Sequence, residues 1–543
     1  MSKYDQQQKE QIIKRLIFDN PWWQSGKIAE DYDAMPRRPY IDLFYPIVAD
    51  LSLRRAAILM GPRRVGKTVM IYHCIKRLID SGVDSKRIIY MSIDTPIYSN
   101  VSLDDLFSYA RTALHKEDVD GFFVFYDEIQ YLKDWEVHLK SMVDTYRKTK
   151  FVASGSAAAA LKMKSNESGA GRFTDFMLPP LTFFEFLQLQ QRDGNVIEET
   201  DRSICPYGTL DIDKLNEDFF EYINYGGYPE VVFSEKIKEN PGQYIKNDIV
   251  EKVLLRDLPS LYGISDIQEL NKLFLYIAFR SGNEFSYETL SSEAGIKKDT
   301  IKKYLEYLEA AFLIKVVNRI DQSAKKMQRV TSMKIYLTNP TLRCALYTPI
   351  SESDDACGEM VETAIYDQWI LGEKTNFYYA NWSKGREKGE VDIVWVEASS
   401  QKAFSLAEIK WTDKFYEDPS QLKSLRKFLE VNDGIRKIIV TTKSKLGSST
   451  IDGNTFLFIP SALYAYWVSK YLFEEKTNQI LLPENDASSM KTVFCFKKSS
   501  EFLHPTLSVW WKCFMNMKPL RYVWRVRVSI GCLSGKFLSR TSP

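Results

Sequence analysis

A chain of 543 residues with 45% apolar and 27% charged side chains is too long for one hydrophobic core, and about three or four globular domains are expected. The N-terminal stretch MSKYDQQQKEQ lacks the apolar centre of a secretion signal, and no run of about 18 apolar residues occurs, which argues against a membrane partner. Seven scattered cysteines without a CxxC pair, and four histidines without zinc spacing, point away from disulfide or zinc scaffolds and towards a cytoplasmic home.

The net charge of +2 hides an asymmetry: residues 491–543 carry +9, which leaves −7 on the first 490 residues. Any nucleic-acid contact by the main body must therefore come from local patches.

Residues 1–50 contain NPWWQSG and MPRRPYIDLFYP. Trp22 and Trp23 offer two roles, stacking on a base or packing this segment onto the next domain, and packing is expected. From 51 to 190, short continuous apolar runs (AAILM, RIIYMSI, FFVFY, KFVASG) alternate with helical stretches, as in strands buried on both faces of a parallel sheet.

Between the first such strand and a helix lies GPRRVGKT, a fit to GxxxxGK[ST]. Gly61, Pro62, Arg63, Arg64, Val65 and Gly66 would curl so that main-chain N–H groups and a helix N-terminus face phosphates. Lys67 would reach the β and γ oxygens of ATP, and Thr68 would hold Mg²⁺. The strand GFFVFY delivers Asp127 and Glu128 at its carboxyl end, where an open parallel sheet binds ligands. Asp127 suits the Mg²⁺ shell and Glu128 suits polarisation of water. Ser154 and Ser156, ending KFVASGS, stand where a γ-phosphate sensor would. Arg172, in the Gly-flanked GAGRF, is either a phosphate-sensing finger, in cis or from a neighbouring copy of a homo-oligomer, or a surface salt-bridge partner.

These pieces together (GPRRVGKT, FYDEIQYLKDWE, ASGSAAAAL, GAGRF, LPPLTFFEF, YGGYPEVV and LLRDLPSLYGISD, in this order) resemble a large prokaryotic family of AAA-type ATP-binding proteins with a C-terminal domain of unknown function. The resemblance implies an additional-strand P-loop ATPase core over which Lys67, Thr68, Asp127 and Glu128 take the roles given above. It also draws attention to Arg172 and Arg256.

Residues 191–265 read as a helical lid or linker. The segment 266–335 reads as a winged helix-turn-helix: Ile301, Tyr304, Leu305, Leu308 and Phe312 form a buried stripe. Lys297, Lys298, Lys302 and Lys303 face outward, with a basic wing carrying Lys325, Lys326 and Arg329. Phosphate tracking on DNA is the expected use, with little base reading, since the helix face lacks Arg, Asn and Gln. Packing between domains is the alternative.

Residues 336–480 read as an α/β domain containing the hairpin GEVDIVWVEASSQKAFSLAEIKW. A five-residue turn over 398–402 sets Asp392 opposite Glu408 and Glu390 opposite Lys410, all on one face. Val391, Ile393, Trp395, Ala407 and Ile409 are expected on the other. Opposed carboxylates about 5 Å apart repel unless a divalent ion, Mg²⁺ or Mn²⁺, joins them. Glu362 or Glu359 from the upstream helix could add a ligand, and Lys410 could orient the attacking water. VETAI, GEVDIV and LAEIKW are similar to the restriction-endonuclease, PD-(D/E)xK, fold. That resemblance implies a nuclease-like domain, either cutting or reduced to a binding platform.

Residues 486–543 form an atypical basic, Trp-rich tail resembling nothing in that family, read as frameshifted or fused. The expected class is thus multidomain α/β: a P-loop ATPase, a helical and winged-helix segment, and a restriction-endonuclease-like domain. The expected function is Mg-ATP hydrolysis coupled to DNA contact and a nuclease-like site. An ATP-dependent switch whose C-terminal domain only binds a partner is the alternative.

Overall fold

The computed structural model describes residues 3–155, 171–202, 204–324, 332–369, 377–384 and 387–481. Ser156, the wing residues Lys325, Lys326 and Arg329, and the tail after 486 lie outside the described residues.

The short apolar runs near the N-terminus pair because neither face of such a strand tolerates water. β1 (Ala56–Met60), β2 (Ile88–Ser92), β3 (Phe123–Asp127), β4 (Lys150–Gly155) and β5 (Phe173–Met177) form one sheet in the order β2-β3-β4-β1-β5. Every pairing is parallel. β1, β3 and β4 are buried at each position, which explains their unbroken hydrophobicity. β4 is inserted between β1 and β3, so Ser154 ends beside both the loop after β1 and the acidic pair after β3. Trp22 and Trp23 are buried, and both indoles donate to the Ile88 carbonyl, at 2.9 and 2.7 Å. Asn20 exchanges two hydrogen bonds with the Tyr90 backbone, at 2.9 and 2.6 Å. The N-terminal segment thereby covers β2, an edge that would otherwise be open to pairing.

Beyond this sheet, Thr182 and Glu185 form a reciprocal capping box at the start of the helix Phe183–Leu189. β6 (Ile197–Glu199) and β7 (Tyr207–Thr209) make a small antiparallel pair, followed by the helix Ile212–Tyr225 and a helical stretch over 229–262. Three helices follow, Ile267–Phe279, Tyr287–Ala294 and Lys298–Ala310. Ile301, Tyr304, Leu305 and Leu308 of the third are buried, as the periodicity requires, whereas Phe312 is half-buried beyond the helix end.

The remaining strands form a single sheet. β8 (Glu284–Ser286), β9 (Ile314–Ile320), β10 (Ser332–Leu337), β11 (Phe377–Lys384), β12 (Glu387–Val396), β13 (Ala403–Glu408), β14 (Lys437–Thr442), β15 (Gly447–Ile451) and β16 (Asn454–Pro460) run in the order β15-β16-β14-β13-β12-β11-β9-β10-β8. β9 joins β11 in parallel through Arg319 opposite Tyr379 and Ile320 opposite Ala380. The expected border at 335/336 therefore runs through one continuous sheet.

The hairpin register is seen at Ile393–Ala407, Val394–Leu406 and Trp395–Ser405, one step short of Asp392 opposite Glu408. Near the turn it slips, so Val396 pairs with Ala403. A second irregularity sets the two residues Asp392 and Ile393 of β12 against the single Tyr379 of β11. This bulge breaks the expected period of two: Val391 joins Val394 in the core beneath the helix Lys423–Leu429, while Ile393 and Trp395 join the main core.

The last helix, Ser461–Leu481, returns to the N-terminal half. Phe473 packs on Tyr40 and Phe184, with ring centroids 5.6 and 5.7 Å apart, and the Phe184 N–H donates to Ser469 at 3.2 Å. A buried polar knot adds to this seam. Tyr222 donates to Asp367 at 3.2 Å, Asn339 donates to the same oxygen at 3.1 Å, and Gln368 bridges Tyr222 and the Phe183 N–H. Burial pushes the Asp367 carboxyl well above its ordinary value of 3.8, with the two donors only partly opposing. Raised in the folded state, its proton is held where the unfolded chain has lost it, so this group costs stability as pH rises above 3.8. We expect Asp367→Asn to melt at or above the wild-type temperature at pH 8, with the advantage vanishing towards pH 4. Asp367→Ala should melt lower throughout. Calorimetric midpoints at the two pH values measure both effects.

Candidate nucleotide site and carboxylate cluster

The loop after β1 takes its shape from two glycines. Gly61 has φ 156° and passes so close to the chain after β5 that an added Cβ would lie 2.1 Å from the Leu178 carbonyl oxygen. Gly66, at φ 91°, starts the helix Lys67–Asp80. Lys67 is buried and donates to the carbonyls of Gly61 (3.0 Å) and Pro62 (2.7 Å). Burial depresses its pKa, opposed by the nearby Glu128 and Asp127 carboxylates. The Thr68 hydroxyl donates to Asp127 at 2.7 Å, Tyr90 donates to the same oxygen at 2.9 Å, and Ser154 donates to the other. Glu128 adopts a left-handed φ of 53°, and its N–H points at Asp127 and Ser154. Burial raises its carboxyl pKa, with Lys67 opposing. The loop, Lys67, Thr68, Asp127, Glu128 and Ser154 thus converge. A cavity of about 680 Å³ opens beside them, lined by Tyr32, Met35, Lys67, Thr68, Glu128 and Phe233 among others. Its size and its mixture of a cation, hydroxyl, carboxylate and apolar walls fit a nucleoside triphosphate.

Residue-by-residue reading of the sequence misses Arg38. This buried guanidinium donates to Val65 O inside the loop (2.8 Å) and to Pro179 O (2.9 Å), and forks onto Glu185 at 2.9 and 2.8 Å. Only its place in a Pro-flanked basic pair marks it in the sequence, and that does not distinguish it from the exposed Arg37. The two loop arginines do not turn to the cavity alone. Arg63 forks onto Asp257 at 2.7 and 3.0 Å, and Arg64 reaches Glu230 (3.2 Å) and Asp248 (3.1 Å). Arg256 lies over the Tyr131 ring.

Arg172 forms the second of its two expected partnerships, a surface salt bridge, and its place does not suit a finger acting in cis. Phe173, the next residue, pairs with Ala56 at the start of β1, whereas the loop follows Met60 at its other end. Arg172 therefore stands at the opposite edge of a parallel sheet from Lys67, ion-paired with Asp144.

In the C-terminal half the expected residues do meet, with an unexpected one among them. Lys410 contacts Asp392 (3.3 Å) and Glu408 (2.9 Å), and the Ile409 N–H donates to Asp392 at 2.8 Å. The expected Glu390–Lys410 pair is not formed. β13 ends at Glu408, the Lys410 N–H turns to Thr441 (2.7 Å), and Glu390 lies opposite Asn381 of β11. Glu390 is instead held at 2.6 Å by Lys334 of β10, which also contacts Glu362 (2.9 Å) and Asp392 (3.5 Å). Tyr336 donates to Glu362 at 2.6 Å. The two lysines hold Asp392 below the usual carboxylate range against its burial. Burial and the adjacent Asp392 push Glu408 up to about 7. Oε2 of Glu408 is buried with no hydrogen-bond partner among the described residues, an acceptor whose lone pair a cation would satisfy. Even so, among the described residues no three His, Cys, Asp or Glu side chains are arranged to hold a metal ion.

Arg38→Ala would strand Glu185, which is fully buried, and detach the Val65 carbonyl. A loss of about 3–5 kcal/mol is expected, read by denaturant unfolding, together with weaker ATP binding in calorimetry.

The family model of the AAA domain matches residues 53–187, and a model described as a domain of unknown function, DUF8612, matches residues 216–354. The latter covers the middle of the chain and not the carboxylate hairpin. An uncharacterised protein of Haemophilus influenzae is 23% identical over 74% of this chain and 92% of its own length. Uncharacterised protein MJ1544 of Methanocaldococcus jannaschii is 23% identical over 80% of this chain and 94% of its own. Among solved structures, a Walker-type ATPase of Pyrococcus abyssi aligns at 13% identity over 58% of this chain and 99% of that one, with a TM-score of 0.37. The Aeropyrum pernix ORC1 protein in complex with DNA aligns at 12% over 58% and 93%, with a TM-score of 0.29. No helix of the described residues is long and apolar enough to cross a membrane. Residues 53–187 are thus similar to an AAA domain, and their strands form an all-parallel sheet that carries the P-loop sequence.

Proposed function

We propose that this protein binds and hydrolyses Mg-ATP at the loop 61–68 and transmits nucleotide state to a DNA-contacting winged-helix segment. The observation that carries the reading is the Thr68–Asp127 hydrogen bond at 2.7 Å beside the buried Lys67, which brings the helix after the loop and the end of β3 together as a magnesium-triphosphate site requires. Lys67 exchanges its two carbonyl partners for β and γ oxygens, which accounts for a cation already buried at the loop. Thr68 and Asp127 are the residues that would hold Mg²⁺, whose chemistry is to neutralise charge on the phosphates. Glu128 orients the attacking water, and Ser154 fixes Asp127.

Transmission is supported by the contacts of Arg63 and Arg64 with Asp257, Asp248 and Glu230. The same helical stretch ends in Tyr262, stacked on Tyr307 of the lysine-bearing helix with centroids 4.0 Å apart. Lys297, Lys298, Lys302 and Lys303 are exposed there, although Lys298 pairs with Glu288 (2.7 Å) and Lys302 with Asp299 (3.5 Å). Phosphates must displace those pairs, so contact is weak and sequence-tolerant.

The unpartnered Glu408 Oε2 favours a second activity, a restriction-endonuclease-like site in which Glu362, Asp392 and Glu408 hold Mg²⁺ or Mn²⁺ and Lys410 orients water. The Lys334 ammonium among the same carboxylates favours the alternative, a domain that only binds a partner.

Lys67→Ala should abolish Mg-ATP binding in calorimetry. Glu128→Gln should retain binding and lose at least about 100-fold in turnover. Duplex DNA should stimulate turnover by the wild type, and the Lys297/Lys298/Lys302/Lys303→Glu variant should lose that stimulation while keeping basal turnover. Turnover indifferent to DNA would remove the DNA half of the reading. Nicking of plasmid DNA in Mn²⁺ that disappears in Lys410→Ala would establish the second activity, and no cutting under any metal or nucleotide condition would leave the partner-binding form.

A further inference from the structure

Four carboxylates, Glu362, Glu390, Asp392 and Glu408, share a largely buried site with, among the described residues, two ammonium groups. The contacts divide almost without overlap. Lys334 takes Glu362 Oε1 at 2.9 Å and Glu390 Oε1 at 2.6 Å and stands 3.5 Å from Asp392 Oδ1. Lys410 takes Asp392 Oδ2 and Glu408 Oε1. Both oxygens of Asp392 are thereby engaged, and Glu408 Oε2 is left buried and unpartnered.

A divalent cation of the magnesium class needs about six oxygen ligands at close range. A divalent ion held between Asp392 and Glu362 would meet the two oxygens that face Lys334, Asp392 Oδ1 and Glu362 Oε1. An ammonium and a divalent ion cannot share those oxygens, because their mutual repulsion in a buried site is large. Lys334 itself does not belong to the hairpin. It sits on β10, is 4% exposed, and its ammonium lies 5.7 Å from the Tyr379 ring centroid of β11.

We propose that Lys334 is the resident cation of the carboxylate site and that it competes with a divalent ion for Asp392 and Glu362, so that β10 governs whether the site can be loaded. This rests on the reading of Glu362, Asp392 and Glu408 as a metal-capable set. The repulsion between Glu390 and Asp392, two positions apart on β12, is relieved by an amine from the neighbouring hairpin.

The test is Mn²⁺ titration of the nucleotide-free full-length chain by calorimetry, for the wild type, Lys334→Met, and Lys334→Met with Asp392→Asn. Lys334→Met should bind one Mn²⁺ at least about tenfold more tightly than the wild type, a gain that the added Asp392→Asn abolishes. If the wild type takes up Mn²⁺ through Asp392 as tightly as Lys334→Met, the competition is wrong and the metal set stands. If folded Lys334→Met binds none, the metal set fails and the competition with it. A second measurement needs no variant at Lys334. Acylation of that amine in the wild type, read by peptide mass spectrometry, should rise as Mn²⁺ is added and should not rise in Asp392→Asn. Acylation of Lys334 that ignores bound Mn²⁺ overturns the proposal.

Discussion

One buried ion pair conditions the nucleotide site. Arg38 and Glu185 are nearly inaccessible, and a charge in such a place is tolerated only when its donors and acceptors are all engaged. Arg38 meets that demand through carbonyls of the phosphate loop and of the Pro179 turn, and Glu185 meets it while capping its own helix. The loop therefore inherits its position from three segments far apart in sequence: the N-terminal arm, the strand before the loop, and the turn after β5. Gly61, pressed under the Leu178 carbonyl, depends on the same turn.

From that fixed point the structure runs outward with few breaks. Arg63 and Arg64 link the loop to the helical stretch over 229–262, Tyr262 stacks on Tyr307, and β9 pairs into the sheet that carries the carboxylates. The terminal helix closes the circuit on Phe184 and Tyr40. A picture of loosely tethered bodies swinging about a core does not suit these contacts. Small displacements within a continuous packed assembly suit them better, because close-packed interfaces shift between discrete arrangements and do not deform smoothly.

Much of the nucleotide site was legible in the sequence because its chemistry is local. The glycine spacing, the lysine and threonine that follow, and an acidic pair ending an apolar strand each announce themselves within about ten residues. The hairpin register was legible for the same reason, since a short turn and a period of two leave few choices. What escaped was non-local or irregular. Arg38 and Lys334 are ordinary basic residues in their own segments and acquire meaning only through partners more than 25 positions away. The bulge at Asp392 and Ile393 depends on Tyr379 of another strand, so no alternation within β12 foretold that Val391 would change sides. The sequence leaves Arg172 between two roles because a glycine-flanked arginine looks mobile until the direction of β5 is known.

The nine-stranded sheet also bears on how this protein can be taken apart. A cut near residue 335, where the motifs change character, would strip β9 from β11 and leave Tyr379 and Ala380, both buried, along a bare edge. Each fragment would carry a strand seeking a new neighbour, and self-association through those edges is the physical outcome to expect. The segments on either side of that point behave as one heritable block, which can be lost or exchanged only whole.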